Sequence, residues 1–280
     1  MYCIKLYIKL KKKKLKSIIY KSIKLIKMAN FWDLVNKVIN EADVLLLVLD
    51  GRLIKETRNK EIERKIKESK KPLIYVVNKC DLVKEDDLRK YRERMRSTVF
   101  ISSKNKTGLK SLQEMIHIVF SKLKKPKIEN QLNKINVGVL GYPNVGKSSL
   151  INAMKGKKSA KTSALSGYTK ALQKIRTDKK IVMIDTPGVI PYKEDNDLKH
   201  SLTGTIDFTK IKEPDTIVIE MMQQFPGKIE SFYEVKPRED HEETIEEIAL
   251  KKKILIKGGK PDTIRMSRMI ITEWQSGKLN

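Results

Sequence analysis

Ile135-Asn136-Val137-Gly138-Val139-Leu140 runs straight into Gly141-Tyr142-Pro143-Asn144-Val145-Gly146-Lys147-Ser148. An apolar run, a loop of the form GxxxxGK[ST] and a following helix-forming stretch present backbone N–H groups and a helix N-terminus to phosphate oxygens. Three further motifs lie around this one. Asp185-Thr186-Pro187-Gly188 comes after it, and Asn78-Lys79-Cys80-Asp81 and Ser102-Ser103-Lys104 come before it. The usual order of the four is phosphate loop, DxxG, NKxD, SAK. Here the base-reading pair precedes the phosphate-reading pair, so the chain is circularly permuted.

Apolar runs and polar, helix-like stretches alternate from residue 30 onward. The runs are Ala42–Leu49, Pro72–Val77, Thr98–Ile101, Ile135–Leu140 and Ile181–Ile184; helices are expected over about 55–69, 85–96, 108–123 and 147–155. Continuous apolar strands alternating with helices predict an α/β, P-loop-type domain: a mostly parallel sheet with helices on both faces. Ligands of such sheets bind beyond the carboxyl ends of the strands. Asn78, Ser102, Gly141 and Asp185 each fall just past such an end, so the motifs are expected to converge despite their shuffled order.

The pattern changes after about residue 205. Glu242 to Leu255 reads as a charged helix stopped by Gly258-Gly259, and Asp262 as the N-cap of a last helix. The expected organisation is a basic extension over 1–29, a permuted nucleotide domain over 30–205 with a linker at 124–133, and a small helical domain over 206–280. The formal net charge is +26 in 280 residues, which points to a polyanionic partner. Residues 1–28 contribute ten lysines and no acid, leaving +16 for the rest. That segment has no apolar run of the roughly 20 residues needed to span a bilayer. It reads as an unstructured tail or an over-extended start, and no stable membrane association is expected. A basic amphipathic helix on a membrane is the weaker alternative. Cys3 and Cys80 have no metal-site or disulfide spacing, and the three histidines are scattered, as in a protein of a reducing cytoplasm.

Each motif carries its own chemistry. The backbone of Asn144, Val145, Gly146, Lys147, Ser148 and Ser149 would cradle phosphates. Lys147 would supply a point charge to the β and γ phosphates, and the Ser148 hydroxyl would ligate Mg²⁺. Asp185 would hold Mg²⁺ through water, and the Gly188 N–H would meet the γ-phosphate. Thr169, in Gly167-Tyr168-Thr169-Lys170, is the expected third Mg²⁺ ligand, with Thr162 as runner-up. Lys147, Thr169 and Gly188 are the expected catalytic groups. A carboxylate at Asp81 accepts hydrogen bonds from guanine N1–H and the 2-amino group. Adenine offers neither donor, so such a site rejects it by a factor on the order of 10⁴. Lys79 would cover the base, Asn78 would tie this loop to the phosphate loop, and Ser102-Ser103-Lys104 would bring a backbone N–H to guanine O6. GTP is the expected substrate.

These residues resemble the circularly permuted GTPases of the YlqF/RbgA type over about residues 30–280. Asp50-Gly51-Arg52 with Thr57-Arg58-Asn59 is similar to that family's DARxP…SxRN segment, with glycine for the alanine and no proline. Lys257-Gly258-Gly259, Asp262 and Trp274-Gln275-Ser276-Gly277-Lys278-Leu279 are similar to the end of its RNA-binding domain. The resemblance implies a slow GTPase switch that assists assembly of the large ribosomal subunit, acts as a monomer and binds that subunit or its precursor. It also implies that Val189, at the position of the water-orienting glutamine of Ras-type enzymes, leaves catalytic help to come from elsewhere. This chain lacks the N-terminal histidine to which some members assign that help. Asn144 occupies the position linked to K⁺ dependence.

Lys251, Lys252, Lys253, Lys257, Lys260, Arg265 and Arg268 are the candidates to grip rRNA phosphates. Because the chain runs directly from Gly188 toward the helical domain, hydrolysis is expected to reorient that domain. A second reading is an RNA-associated binding module with structural nucleotide and negligible turnover; Val189 leans that way, whereas the complete Mg²⁺ set leans toward an enzyme.

Overall fold

A computed structural model describes residues 32–123, 134–155, 173–178, 180–186 and 197–279. The basic extension, the 124–133 linker and Thr162, Thr169, Gly188 and Val189 lie outside these residues. Helix α1 covers 32–41. It is followed by β1 (Val44–Asp50), a 3₁₀ turn (Gly51–Leu53), α2 (Ile54–Thr57), α3 (Lys60–Glu68), β2 (Leu73–Asn78), α4 (Glu85–Arg94), β3 (Thr98–Phe100) and α5 (Leu109–Ser121). The second half comprises β4 (Ile135–Gly141), α6 (Lys147–Met154), β5 (Gln173–Arg176), β6 (Ile181–Asp185), α7 (Asp197–Leu202), α8 (Pro214–Gln224), α9 (Lys228–Tyr233), α10 (His241–Lys251) and α11 (Thr263–Ser276).

The described strands form one sheet in the order β3-β2-β1-β4-β6-β5, parallel throughout except for the antiparallel edge strand β5. β1 lies between the two permuted halves. It pairs with β2 of the base-reading half, Asp50 opposite Asn78, and with β4 of the phosphate-reading half, Val48 opposite Gly141. Every residue of β1 is buried, which is why it reads as an unbroken apolar run. Val44, Leu46 and Val48 face the layer that includes α5 and α6; Leu45, Leu47 and Leu49 face α1 and α3. Gly138 of β4 permits the close approach of α1: a Cβ there would lie 2.8 Å from both Leu45 and Val38.

The helix expected over 55–69 is broken. Arg58 is extended, and the Asn59 side chain accepts from the amides of Glu61 and Ile62 to cap α3. The helix expected to reach Leu255 ends at Lys251, and Lys253 takes a left-handed turn. Gly258-Gly259 therefore does not stop a helix. It forms the tip of a small hairpin closed by the Leu255–Pro261 bridge. A further core surrounds Trp274, with Leu202, Val218, Met221, Ile248 and Ile270 packed together. Leu198 and Leu202 of α7 belong to this core although they precede residue 206, and Leu53 reaches it from the end of β1.

Candidate nucleotide-binding site

Because the central strands are parallel, Asp50, Asn78, Gly141 and Asp185 emerge at one edge of the sheet. The phosphate loop turns there. Gly141 and Gly146 have positive φ, and a Cβ on Gly146 would lie 2.3 Å from the Asn78 side chain, so no larger residue fits. Lys147 opens α6 and is buried, its ammonium donating to the Gly141 and Tyr142 carbonyls at 3.0 and 2.9 Å. Burial pulls its pKa down to about 8, against the opposing pull of Asp185. The Ser148 hydroxyl donates to Asp185 Oδ2 at 3.1 Å, whereas Oδ1 is buried with no partner among the described residues. Burial raises the pKa of Asp185, partly offset by Ser148 and Lys147. A buried carboxylate oxygen without a donor, beside a hydroxyl, offers the oxygen ligands a hard divalent cation such as Mg²⁺ takes, and the Lys147 ammonium suits phosphate oxygens rather than the metal. Thr186 is anchored to the Val139 carbonyl at 2.7 Å.

Asn78 spans three loops. Its amide donates to the Val145 carbonyl at 3.0 Å, and its oxygen accepts from the Ser103 N–H at 3.0 Å. The Ser103 amide is thus engaged by Asn78, which makes Lys104 the remaining member of the 102–104 motif with an amide to offer. Asp81 accepts from the Ser102 hydroxyl at 2.6 Å, and Ser102 Oγ accepts from the Asn105 amide at 3.0 Å. These bonds fix the Asp81 carboxylate at the sheet edge. Lys79 sits in left-handed backbone conformation, and its ammonium pairs with Asp50 at 2.7 Å.

The side chain of Asn144 donates to the Gly204 carbonyl at 2.6 Å, a partner 60 residues away that no local pattern announces. Of the seven basic candidates, Lys252, Lys253, Lys257, Lys260 and Arg265 are exposed around the hairpin. Lys251 is exposed too and pairs with Glu234, whereas Arg268 is half-buried. The residues that sequence reasoning undervalued are Asp50 and Arg52, whose signal was confined to a family-like tripeptide.

Replacing Asn78 with Ala leaves the Val145 carbonyl and the Ser103 amide without their side-chain partner. Urea denaturation of the nucleotide-free protein is expected to register a loss of about 2–3 kcal/mol; a loss under about 0.5 kcal/mol would contradict the bridging role.

The description "RsgA GTPase" belongs to a family model that matches residues 24–193, and "50S ribosome-binding GTPase" to one that matches residues 136–257. The chain is 41% identical over 252 residues to the GTP-binding protein MJ1464 of Methanocaldococcus jannaschii, covering 88% of this chain and 65% of that protein. It is 34% identical over 257 residues to nucleolar GTP-binding protein 2 of Saccharomyces cerevisiae, covering 89% and 52%. The chain therefore spans about half to two thirds of the length of these relatives. GDP-bound YlqF from T. maritima shares the fold, with a TM-score of 0.64 at 22% identity over 87% of this chain and 94% of that one. GNP-bound YlqF gives 0.61 at 21% identity, covering 87% and 92%. The chain belongs to the RsgA GTPase family and has the circularly permuted fold of YlqF.

Proposed function

We propose that this chain binds GTP with Mg²⁺ and hydrolyses it slowly alone and faster on a large ribosomal subunit or its precursor. The observation that carries this reading is the convergence of Asn78, Asp81, Lys147, Ser148 and Asp185 at one sheet edge, with Asn78 bonded to both halves. The nucleolar name of the yeast relative and the description of the 50S ribosome-binding GTPase family model support the ribosomal partner.

Asp81 reads guanine N1–H and the 2-amino group. The Lys79 stem covers the base, and the Lys104 amide meets O6. The amides of Asn144 through Ser149 hold the phosphates, and Lys147 exchanges two loop carbonyls for the β and γ oxygens. Ser148 and Asp185 hold Mg²⁺, with Thr169 as the third group and the Gly188 N–H on the γ-phosphate. When bound, Mg²⁺ neutralises charge that develops on the phosphates. Asn144 Oδ1 is the K⁺ candidate, the oxygen of the carboxamide whose nitrogen donates to Gly204. Val189 supplies no water-orienting amide, so the stimulating group comes from the ribosomal particle or from a conformation it induces. Exposed lysines of the 252–260 segment and Arg265 grip rRNA phosphates. The protein works as a monomer in the cytoplasm; among the described residues no helix is long and apolar enough to cross a membrane.

GTP turnover in K⁺ buffer is expected to rise strongly when large subunits are added; tight GTP binding with no stimulation would favour the binding-module reading. A second expectation concerns pH. Unliganded Lys147 titrates at about 8, and bound phosphate holds it protonated at higher pH. Nucleotide affinity is therefore level below pH 8 and falls above it, by up to about tenfold per pH unit, with proton uptake on binding. Calorimetry in buffers of different ionisation enthalpy checks this.

A further inference from the structure

The nucleotide reading leaves Asp50-Gly51-Arg52 without a task, yet this turn holds a densely bonded charged cluster. The Asp50 carboxylate is buried at the end of the central strand. Its Oδ1 accepts from the Arg52 backbone amide and Nε at 3.0 and 3.1 Å. Its Oδ2 accepts from Arg52 Nη2 at 2.9 Å and from the Lys79 ammonium at 2.7 Å. The Asp50 N–H donates to the Thr57 hydroxyl, which donates to the Leu53 carbonyl, so the backbone under the carboxylate is held as well.

Arg52 has one more guanidinium nitrogen, Nη1, to place. Its Nη1 donates to the Trp274 carbonyl at 2.7 Å, and its guanidinium lies 5.3 Å from the centre of the Trp274 ring. The indole N–H then donates to the Leu202 carbonyl at the end of α7, at 3.0 Å. The end of α11 also abuts the base-reading loop directly, where a Cβ on Gly277 would lie 2.8 Å from Leu82. Direct contacts thus run from Lys79 through Asp50 and Arg52 to Trp274 and α7. A low-dielectric cluster whose members share one carboxylate has little slack, so displacement of one cation is felt by the other.

We propose that Asp50 is a positioning residue for guanine recognition, tethering the Lys79 ammonium so that its stem lies over the base, and that Arg52 lies outside the binding site and passes the state of that tether to Trp274. This rests on the nucleotide reading above. Asp50 is the more consequential of the two for affinity. Arg52 is the more consequential for coupling, because its planar fork alone reaches the carboxylate and α11 together.

Trp32 and Trp274 are the two tryptophans, so Trp32→Phe leaves Trp274 as the sole reporter. GDP is titrated into this Trp32→Phe chain, its Asp50→Asn, Lys79→Met and double variants, and Arg52→Ala and Arg52→Lys, with calorimetry for affinity and indole emission for coupling. Asp50→Asn and Lys79→Met are each expected to weaken GDP by about tenfold, and the double variant by little more than either, because both remove one tether. Either Arg52 substitution is expected to keep GDP affinity within about threefold while losing most of the GDP-induced change in Trp274 emission. Lys79→Met keeps the Asp50–Arg52 pair and so tests the tether even if Asp50→Asn folds poorly. Additive losses at 50 and 79, undiminished affinity in Lys79→Met, or a full emission change in both Arg52 variants would overturn the proposal. Absence of GDP binding in the parent would overturn the nucleotide reading itself, and this one with it.

Discussion

The arrangement depends on the parallel pairing of β1 with β4. Permutation separates the base-reading half from the phosphate-reading half along the chain, and a single strand has to bring them back together. β1 pairs with β2 on one side and β4 on the other, so Asp50, Asn78 and Gly141 end at the same edge. A register slip by one residue would turn inward-facing leucines and valines to the opposite layer. Because both faces of β1 are buried, such a slip exchanges the packing of two layers at once. The register is therefore strongly specified, and with it the distance from Asn78 to the phosphate loop.

Once the seam is set, polar contacts at the edge act over short distances. Asn78 bonds both to the phosphate loop and to the loop carrying Ser103. Gly146 is confined by the same Asn78 side chain, so the 141–148 loop and the 78–81 loop limit each other's geometry. The helical part joins this edge in two places. Asn144 reaches Gly204, and Arg52 reaches Trp274. The phosphate loop and the end of β1 therefore both touch the region built around Trp274.

Much of this was legible in the residues. The apolar runs identified the five parallel strands because buried strands of such sheets have no polar face to hide. β5 escaped notice because Gln173-Lys174-Ile175-Arg176 is an exposed edge strand with a single half-buried apolar side chain, Ile175. The break at Arg58 is masked by the Lys, Glu, Arg and Ile that dominate 55–69; Asn59 acts as a cap only once its neighbour is extended. The glycine pair at 258–259 gave a stop signal in the right region, but the helix had already ended at Lys251 and the glycines serve a hairpin tip. The nucleotide motifs were readable because their chemistry is local. The Asp50–Arg52–Trp274 contacts were not, since an arginine's partner 222 residues away leaves no mark on its own neighbourhood.

Guanine selection by the Asp81 carboxylate, delivered to the edge by the permuted half of the sheet, is the central claim. Calorimetric binding of GDP, ADP and xanthosine diphosphate to the wild-type chain and to Asp81→Asn tests it most directly. The wild type should prefer GDP over ADP by about 10⁴-fold. Asp81→Asn should exchange that preference for xanthosine diphosphate, whose 2-oxo group accepts a hydrogen bond from the new amide. Equal affinity for GDP and ADP, or an Asp81→Asn protein that still selects guanine, would contradict the claim.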